Sequence, residues 1–246
     1  MAEETKQEVL LSVQGMRKEF GITQAVKDVS LTIYAGEIRT LIGENGSGKS
    51  TLSNMFTGVH VPTAGKMIFK GREYRPSDVI DARSKGIGLV AQEVGTIDNL
   101  TVAENMYMGR EKMFTSFGMV NRRKMEAAAD QALAAMGITH FHGGDSVNDL
   151  SFEDRKLVEV IMVMDARPDI MIFDETTTAL SRSGRDLVYK IMRDQRAKGK
   201  SIIFISHDLD EVEMISDRVT VMRAGDLICT LEKKEEINAD NMRRLM

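Results

Sequence analysis

The chain has almost no cysteine, no large excess of either charge and no long apolar run, and each shortage excludes a class of protein. Cys229 is the only cysteine in 246 residues, which excludes an intramolecular disulfide framework and fits a reducing cytoplasm. The net charge of −4 gives no general electrostatic reason to bind nucleic acid or an anionic membrane. No apolar run approaches the roughly 18 residues of a membrane span, and the N-terminus lacks a signal peptide's apolar segment. We therefore expect a globular protein with no nucleic-acid partner, and any membrane role must come through another subunit.

Apolar runs alternate with turn and helix signals in a way that indicates an α/β fold. Short runs in the first quarter predict an antiparallel sheet: Val9–Val13, Val29–Ile33, Ile38–Ile42 and Lys66–Phe69. Fully apolar runs, which are typical of buried parallel strands, follow at Ile87–Val90, Ile170–Phe173 and Ile202–Ile205. An apolar stripe predicts a helix over Arg122–Met136, which Gly137 ends. The last predicted element is a hairpin, formed by Val219–Met222 and Leu227–Leu231.

One stretch fits the phosphate-binding pattern G-x-x-x-x-G-K-[ST], between a strand-like run and a helix-like run. It consists of Gly43, Glu44, Asn45, Gly46, Ser47, Gly48, Lys49, Ser50 and Thr51. The glycines let backbone N–H groups converge on phosphate oxygens, and the following helix adds the positive end of its dipole. Lys49 can then reach the β- and γ-phosphates, and the Ser50 hydroxyl can ligate Mg²⁺. The alternative is a glycine-rich turn with a surface lysine, but the flanking elements favour a nucleoside triphosphate site.

Polar residues follow two of the predicted buried strands. Asp174 and Glu175 come directly after Ile170–Phe173. An acid at a strand tip can hold Mg²⁺, and a second acid can deprotonate the attacking water, so Asp174 is our metal ligand and Glu175 our general base. His207, shortly after Ile202–Ile205, can touch a γ-phosphate. Acids after strands also occur as helix caps, and a lone histidine is often a cap or a surface residue.

Two further candidates lie between these strands. Gln92 ends the run that begins at Ile87, and its amide can reach Mg²⁺ or the attacking water while its loop moves. As an isolated residue it does not decide between a structural and a functional role. Ser151, with Asp154 three residues later, opens a helix with an apolar face and resembles a capping box, which is itself a structural explanation.

Together, the phosphate loop, Gln92, Leu150-Ser151, Asp174-Glu175 and His207 resemble the ATP-binding cassette ATPases over essentially the whole chain. The resemblance implies one α/β domain over residues 1–246 with the P-loop NTPase fold. A RecA-like core and an antiparallel β subdomain would occupy 1–91 and 155–246, and an inserted α-helical subdomain would occupy 92–154.

Members of this family work as pairs of cassettes that meet head to tail. The resemblance implies that each ATP lies between one subunit's phosphate loop and the other subunit's signature serine, here Ser151. It also implies that Phe20 stacks on adenine, with ordinary core packing as the alternative. The cofactors implied are ATP and Mg²⁺, with Lys49, Gln92, Glu175 and His207 in catalysis and Ser50, Gln92 and Asp174 at the metal.

Two segments are similar to the monosaccharide-import ATPases of the ribose, galactose and xylose type, namely Leu100–Glu111 and Val158–Val160. This similarity implies a peripheral subunit on the cytoplasmic face of the cell membrane, which energises a transmembrane permease and works with an extracytoplasmic solute-binding protein. Leu100–Glu111 is the expected permease contact. Those ATPases often carry two fused cassettes, so this single cassette is expected to pair with another. A nucleoside importer and a soluble regulatory cassette ATPase are the alternatives.

The chain departs from the family's usual Leu-Ser-Gly-Gly-Gln signature. Phe152 and Glu153 replace the glycines, and Asp154 replaces the glutamine. A carboxylate about 5 Å from a γ-phosphate charge would cost roughly 3 kcal/mol at an effective dielectric near 20. Thr176 stands where proline is usual, and Ser181 where aspartate is common. These departures suggest a competent phosphate loop with a signature that weakens the partner's site, hence a heterodimer, or else a subunit that hydrolyses ATP poorly.

Overall fold

The chain folds as two units in the computed structural model, which describes residues 7–246. The first unit comprises residues up to Leu89 together with Pro168–Glu175 and Met192–Met246. The second comprises Val90–Arg167 and Thr176–Ile191.

Twelve strands and eight α-helices are present in the described residues. The strands are β1 (Val9–Phe20), β2 (Thr23–Tyr34), β3 (Ile38–Ile42), β4 (Ala64–Phe69), β5 (Arg72–Tyr74), β6 (Ile87–Val90), β7 (Thr115–Ser116), β8 (Met119–Val120), β9 (Ile170–Asp174), β10 (Ser201–Ile205), β11 (Arg218–Arg223) and β12 (Asp226–Leu231). The helices are α1 (Lys49–Phe56), α2 (Val79–Lys85), α3 (Val102–Met106), α4 (Arg122–Ala135), α5 (Phe152–Asp165), α6 (Arg182–Ala197), α7 (Leu209–Ile215) and α8 (Ala239–Leu245). None of these helices is both long and apolar enough to cross a membrane.

A six-stranded sheet in the order β12-β11-β3-β10-β9-β6 contains the parallel strands. β10 runs parallel to both β3 and β9, and β11 runs parallel to β3. Every residue of β3, β9 and β10 is buried, as expected for strands covered on both faces. β12 returns antiparallel to β11, which confirms the predicted final hairpin.

β3 corrects one sequence-based expectation. The sequence predicts Ile38–Ile42 in the antiparallel sheet, but β3 pairs in parallel with β10 and β11. Two of its five side chains, those of Arg39 and Thr40, are polar. The structure places both side chains in the interior, where Arg39 bonds Glu37 and Thr220 and Thr40 bonds Ser216. Because buried hydrogen-bond partners satisfy these two polar side chains, β3 can be fully buried although it contains them.

The antiparallel sheet of the first unit has the order β2-β1-β4-β5, with β1 paired to both β2 and β4. One apolar core joins this sheet, α1 and the parallel sheet, and it includes Leu11, Leu52, Phe56, Ile203 and Ile205. α1 is therefore anchored on its apolar side, which fixes the direction in which its N-terminus points.

The second unit is largely helical, and its α5 packs against α3 and α4. α4 confirms the helix predicted over Arg122–Met136, with Met125, Ala129 and Leu133 buried and Gly137 in a left-handed conformation after it. The predicted subdomain boundary at residue 154 falls inside α5, which continues without a break to Asp165. In this part of the chain the second unit spans Val90–Arg167, and the subdomain over 92–154 remains a prediction.

A buried ionic network fixes the first residues of β3. Glu37 is 2% exposed and accepts hydrogen bonds from the Arg39 Nε (3.2 Å), the Arg218 guanidinium and the Tyr34 N–H (3.1 Å). Removing the carboxylate leaves two arginines without their shared anion in a region that water barely reaches.

We expect Glu37→Ala to lower the free energy of unfolding by about 3–5 kcal/mol, because one partner of a buried ion pair is lost. Asp240→Ala removes the exposed ion pair between Asp240 and Arg243 and serves as the control. Denaturant titration of both variants measures the difference. Equal stability of the two variants would contradict the assigned role of the Glu37 network.

Candidate functional site

The carboxyl ends of three neighbouring strands bring the first unit's candidate residues to one edge of the sheet. Ile205 of β10 lies beside Asp174 of β9 on one side and beside Leu41 of β3 on the other. The phosphate loop follows β3, and His207 follows β10. The parallel register therefore places these loops together, at the edge where α/β proteins bind ligands.

Two glycines of the phosphate loop are required by the space around them. Gly43 has a φ of +148°, and a Cβ there would lie 2.1 Å from the Met222 carbonyl oxygen. Gly48 has a φ of +100°, and its Cβ would lie 2.4 Å from the Ala25 carbonyl oxygen. No other residue fits at either position without displacing backbone, so the glycines of the pattern are structurally necessary.

α1 begins at Lys49 directly after the loop, and among residues 7–246 no side chain caps its first turn. Open N–H groups and the helix dipole make such an end suitable for an anion. The Lys49 ammonium is buried and donates to the carbonyl oxygens of Gly43 (2.8 Å) and Glu44 (3.0 Å). Burial lowers the pKa of Lys49, while the charges of Glu175 and Asp174 oppose this shift.

The side chains of Ser50 and Asp174 bring two oxygen-bearing groups together. The Ser50 hydroxyl donates to Asp174 Oδ1 at 3.2 Å. Asp174 is 6% exposed, and burial raises the pKa of this carboxyl, an effect that the Ser50 hydrogen bond opposes. A buried carboxylate beside a hydroxyl is a favourable site for a divalent cation, whose charge offsets the cost of burying the acid.

Glu175 is held in an unusual backbone conformation next to His207. Its φ of +45° lies in the left-handed region, and its N–H donates to the Ile205 carbonyl oxygen at 3.0 Å. Such conformations are costly for non-glycine residues and cluster at functional sites. Glu175 Oε2 lies 3.9 Å from His207 Nδ1, so a carboxylate and an imidazole face the same space.

The residues present fit a nucleoside triphosphate and its Mg²⁺. Ser47 is 3% exposed, and its hydroxyl has no hydrogen-bond partner among the described residues. A buried hydroxyl without a partner is costly unless a ligand satisfies it, and phosphate oxygens accept such bonds. Ser50 and Asp174 supply hard oxygen donors, and Mg²⁺ normally takes one or two such ligands together with substrate phosphates.

Phe20 lies at the end of β1, and it is half-exposed rather than part of the core. Its ring meets that of His60 edge-on, with centroids 5.1 Å apart, and the Lys18 ammonium lies 4.9 Å from its centroid. This exposure disfavours the core-packing alternative and leaves a ring available for stacking.

Gln92 and Ser151 belong to the second unit. Gln92 follows β6 and is exposed. Its main-chain carbonyl oxygen accepts a hydrogen bond from the Lys156 ammonium at 3.3 Å. Ser151 caps α5, because its hydroxyl oxygen accepts from the Asp154 N–H at 3.1 Å. The capping role predicted for Ser151 is therefore present, and it leaves the residue exposed.

Glu153 turns toward the start of α6. Its two carboxylate oxygens accept from the Ser181 N–H (2.8 Å) and the Ser181 hydroxyl (2.9 Å). The Ser181 hydroxyl also accepts from the Gly184 N–H, so it caps the helix at the same time. An aspartate at position 181 would repel Glu153, so the two departures from the usual cassette pattern match each other.

Two buried polar networks next to the candidate residues were not predicted from the sequence. Lys156 and Glu159 of α5 are both buried and are bonded to each other. The Ser206 hydroxyl donates to the buried Glu211 carboxylate (3.0 Å) and accepts from the Asp208 N–H, which fixes the chain on both sides of His207. The Lys–Glu spacing of three residues signals an ion pair, but not that the pair is buried.

Comparison with known proteins places this geometry in a family. The chain is 36% identical to the D-allose import ATP-binding protein AlsA of Escherichia coli (strain K12) over 238 residues, covering 96% of the chain and 46% of that protein. It is also 36% identical to Ribose import ATP-binding protein RbsA 1 of Rhizobium johnstonii, covering 90% of the chain and 43% of that protein. The chain thus spans about half the length of these curated relatives.

Solved structures share the fold nearly end to end. A crystal structure of an ATP-binding cassette of an ABC transporter in its ADP conformation has a TM-score of 0.80 at 25% identity, covering 93% of both chains. The structure of cbiO1 from Clostridium perfringens, part of the ABC transporter complex cbiONQ, has a TM-score of 0.78 at 27% identity, covering 97% of this chain and 94% of that one. The family described as ABC transporter matches residues 26–178, more than half of the sequence. The chain therefore belongs to the ABC transporter family, and its α/β fold is that of the family's ATP-binding cassette.

Proposed function

We propose that this chain binds and hydrolyses ATP to energise the import of a monosaccharide through a membrane permease. The observation that carries the enzymatic part is the Ser50–Asp174 pair beside Lys49 and Glu175, all at one edge of a parallel sheet. The transport part is supported by the two curated relatives, whose names describe D-allose import and ribose import.

In the proposed reaction, the phosphate chain of ATP lies against the open N-terminus of α1, and Lys49 exchanges its bonds with the Gly43 and Glu44 carbonyls for bonds to phosphate. Bound Mg²⁺ would neutralise part of the phosphate charge, held by Ser50 and Asp174.

Glu175 orients a water molecule and accepts its proton as the water oxygen bonds to the γ-phosphorus and the bond to the leaving ADP oxygen breaks. His207 lies 3.9 Å from Glu175 and would contact a γ-phosphate oxygen in this arrangement. Gln92 would complete the metal or water contacts, and Phe20 would stack on adenine.

The proposed partners are a transmembrane permease, a second cassette and, through the permease, an extracytoplasmic solute-binding protein, with the chain on the cytoplasmic face of the membrane. Leu100–Glu111 is the proposed permease contact. It borders a cavity of about 230 Å³ in the second unit, lined by Leu100, Glu104, Met108, Glu111, Val120, Arg122 and Met125. Its mixture of apolar and charged side chains suits a short amphipathic segment.

We also propose that the signature of this chain serves its partner's ATP site poorly, so that a heterodimer is favoured. Phe152 and Glu153 occupy the places that glycines have in the usual signature, where backbone N–H groups approach phosphate closely. The bonds from Ser181 hold the Glu153 carboxylate toward α6, which moderates its repulsion of a partner's phosphate without removing its charge.

Glu175→Gln should lower the ATP hydrolysis rate by about 10²–10⁴-fold, because the amide cannot accept the proton of the attacking water. ATP binding, measured by equilibrium titration, should persist because phosphate contacts come from the loop and α1. Glu73→Gln, at an exposed position of β5, is the matched control and should retain turnover. Retained turnover in Glu175→Gln would exclude Glu175 as the base.

Asp174→Asn should raise the Mg²⁺ concentration needed for half-maximal hydrolysis by about 10–100-fold, since the cation loses an anionic partner. Asp169→Asn is the control, because Asp169 precedes β9 at its opposite end and pairs with Lys70 and Lys200. A Mg²⁺ titration at saturating ATP measures both variants. An unchanged midpoint in Asp174→Asn would remove this residue from the metal site.

Glu153→Ala tests the proposed weakness of the signature. In chains that also carry Glu175→Gln, so that ATP is not consumed, removing the carboxylate should increase ATP-dependent dimerisation measured by light scattering. Ser181→Ala should decrease it, because the Glu153 carboxylate then loses the hydroxyl bond and is held toward α6 only by the main-chain N–H of residue 181. Full cooperative ATPase activity of the wild-type homodimer would refute the heterodimer proposal.

A further inference from the structure

α5 carries a buried ion pair that none of the proposed catalytic roles uses. The Lys156 Nζ lies 2.9 Å from Glu159 Oε2, and the two side chains are 2% and 5% exposed. Burying two charges costs several kcal/mol per ion before their attraction is counted, so such a pair is weak evidence for a purely stabilising role. The role of the Lys156–Glu159 pair is indicated by the other groups with which the two side chains form hydrogen bonds.

The second set of partners is the main chain around Gln92. The Lys156 ammonium donates to the carbonyl oxygens of Ala91 (2.7 Å), Gln92 (3.3 Å) and Glu93 (3.2 Å). Glu159 Oε1 accepts the Ala91 N–H at 3.1 Å. The pair thus bonds four backbone groups of one three-residue segment, and that segment lies outside any helix or strand.

These hydrogen bonds attach residues 91–93 to α5, the helix that Ser151 caps. Lys156 lies five residues after Ser151, which is about 7.5 Å along the axis of α5. The Gln92 main chain and the exposed Ser151 are therefore attached to the same rigid helix, within the second unit. An apolar pair of similar volume would also pack α5, but it would leave the backbone groups of residues 91–93 without these partners.

We propose that Lys156 and Glu159 are positioning residues, which hold the main chain at Gln92 so that its side chain is presented in one place and moves together with Ser151. The inference rests on the proposed function, in which Gln92 serves the metal or the attacking water and Ser151 serves the partner's ATP. A pair that only packs α5 would affect stability without any specific link to Gln92.

A double-mutant cycle on kcat separates these roles. Lys156→Met should lower kcat of the full chain by about 10–100-fold at saturating ATP, since a misplaced supporting group typically costs this much. Gln92→Ala should cause a similar loss. The double variant should fall no more than about twofold below the slower single variant, because both changes remove the same contribution. Multiplied losses, or wild-type kcat in Lys156→Met, would overturn the proposal.

Asp165→Asn is the matched control on the same helix. It breaks the ion pair between Asp165 and Arg110 (3.0 Å) in the second unit without touching the Gln92 segment. This variant should lose some thermal stability and keep its kcat. A loss of kcat equal to that of Lys156→Met would show that any weakened contact of α5 has this effect, and would overturn the specific role.

Glu159→Gln keeps an oxygen for the Ala91 N–H but removes the charge, and it provides a second test if Lys156→Met does not fold. Its kcat should fall in the same direction, by a smaller factor. Hydrogen exchange gives a readout independent of hydrolysis: residues 91–95 should exchange faster in either variant, while α4 stays unchanged. Unchanged exchange at residues 91–95 would overturn the proposed positioning role of Lys156 and Glu159. Wild-type protein that neither binds nor hydrolyses ATP would refute the proposed function. The exchange result would still decide whether Lys156 and Glu159 hold the main chain at Gln92.

Discussion

The parallel pairing of β10 with β3 and β9 is the constraint on which the rest of the site depends. Because the three strands point the same way, the phosphate loop, Asp174-Glu175 and His207 emerge at one edge although they are far apart in sequence. A change of register by one residue would turn every buried side chain to the opposite face. At the other end of β3, the buried Glu37–Arg39–Arg218 network ties this strand to β11, its neighbour on the opposite side from β10.

Several residues at this edge of the sheet are held in energetically costly arrangements that a bound ligand would relieve. Lys49 bonds the carbonyls of its own loop, Asp174 is a buried acid with a raised pKa, and Glu175 has a left-handed backbone. Each feature is costly in isolation, and anionic phosphates with a divalent cation would offset the electrostatic costs. The second unit shows the complementary principle, since Lys156 and Glu153 each bring a charge to backbone groups that need a partner.

The phosphate loop, the buried strands and α4 could be predicted from the sequence, because period, glycine placement and strand length are local signals. The assignment of β3 to the antiparallel sheet was wrong for a nonlocal reason: its parallel neighbours β10 and β11, and the Thr220 and Ser216 hydroxyls that bond Arg39 and Thr40, lie far along the chain. Lys156 and Glu159 escaped prediction in the same way, since their partners at residues 91–93 lie some 65 residues earlier in the chain. Glu153 was recognised as unusual, but only the structure links it to Ser181.

The central claim is that the Gly43–Thr51 loop and the Ser50–Asp174 pair form an ATP and Mg²⁺ site. It is tested most directly by a crystal structure of the Glu175→Gln chain grown with ATP and Mg²⁺. We expect the Lys49 ammonium to have left the Gly43 and Glu44 carbonyls for phosphate oxygens, with the cation beside Ser50 and Asp174. Nucleotide bound elsewhere, with Lys49 still bonded to those two carbonyls, would contradict the account.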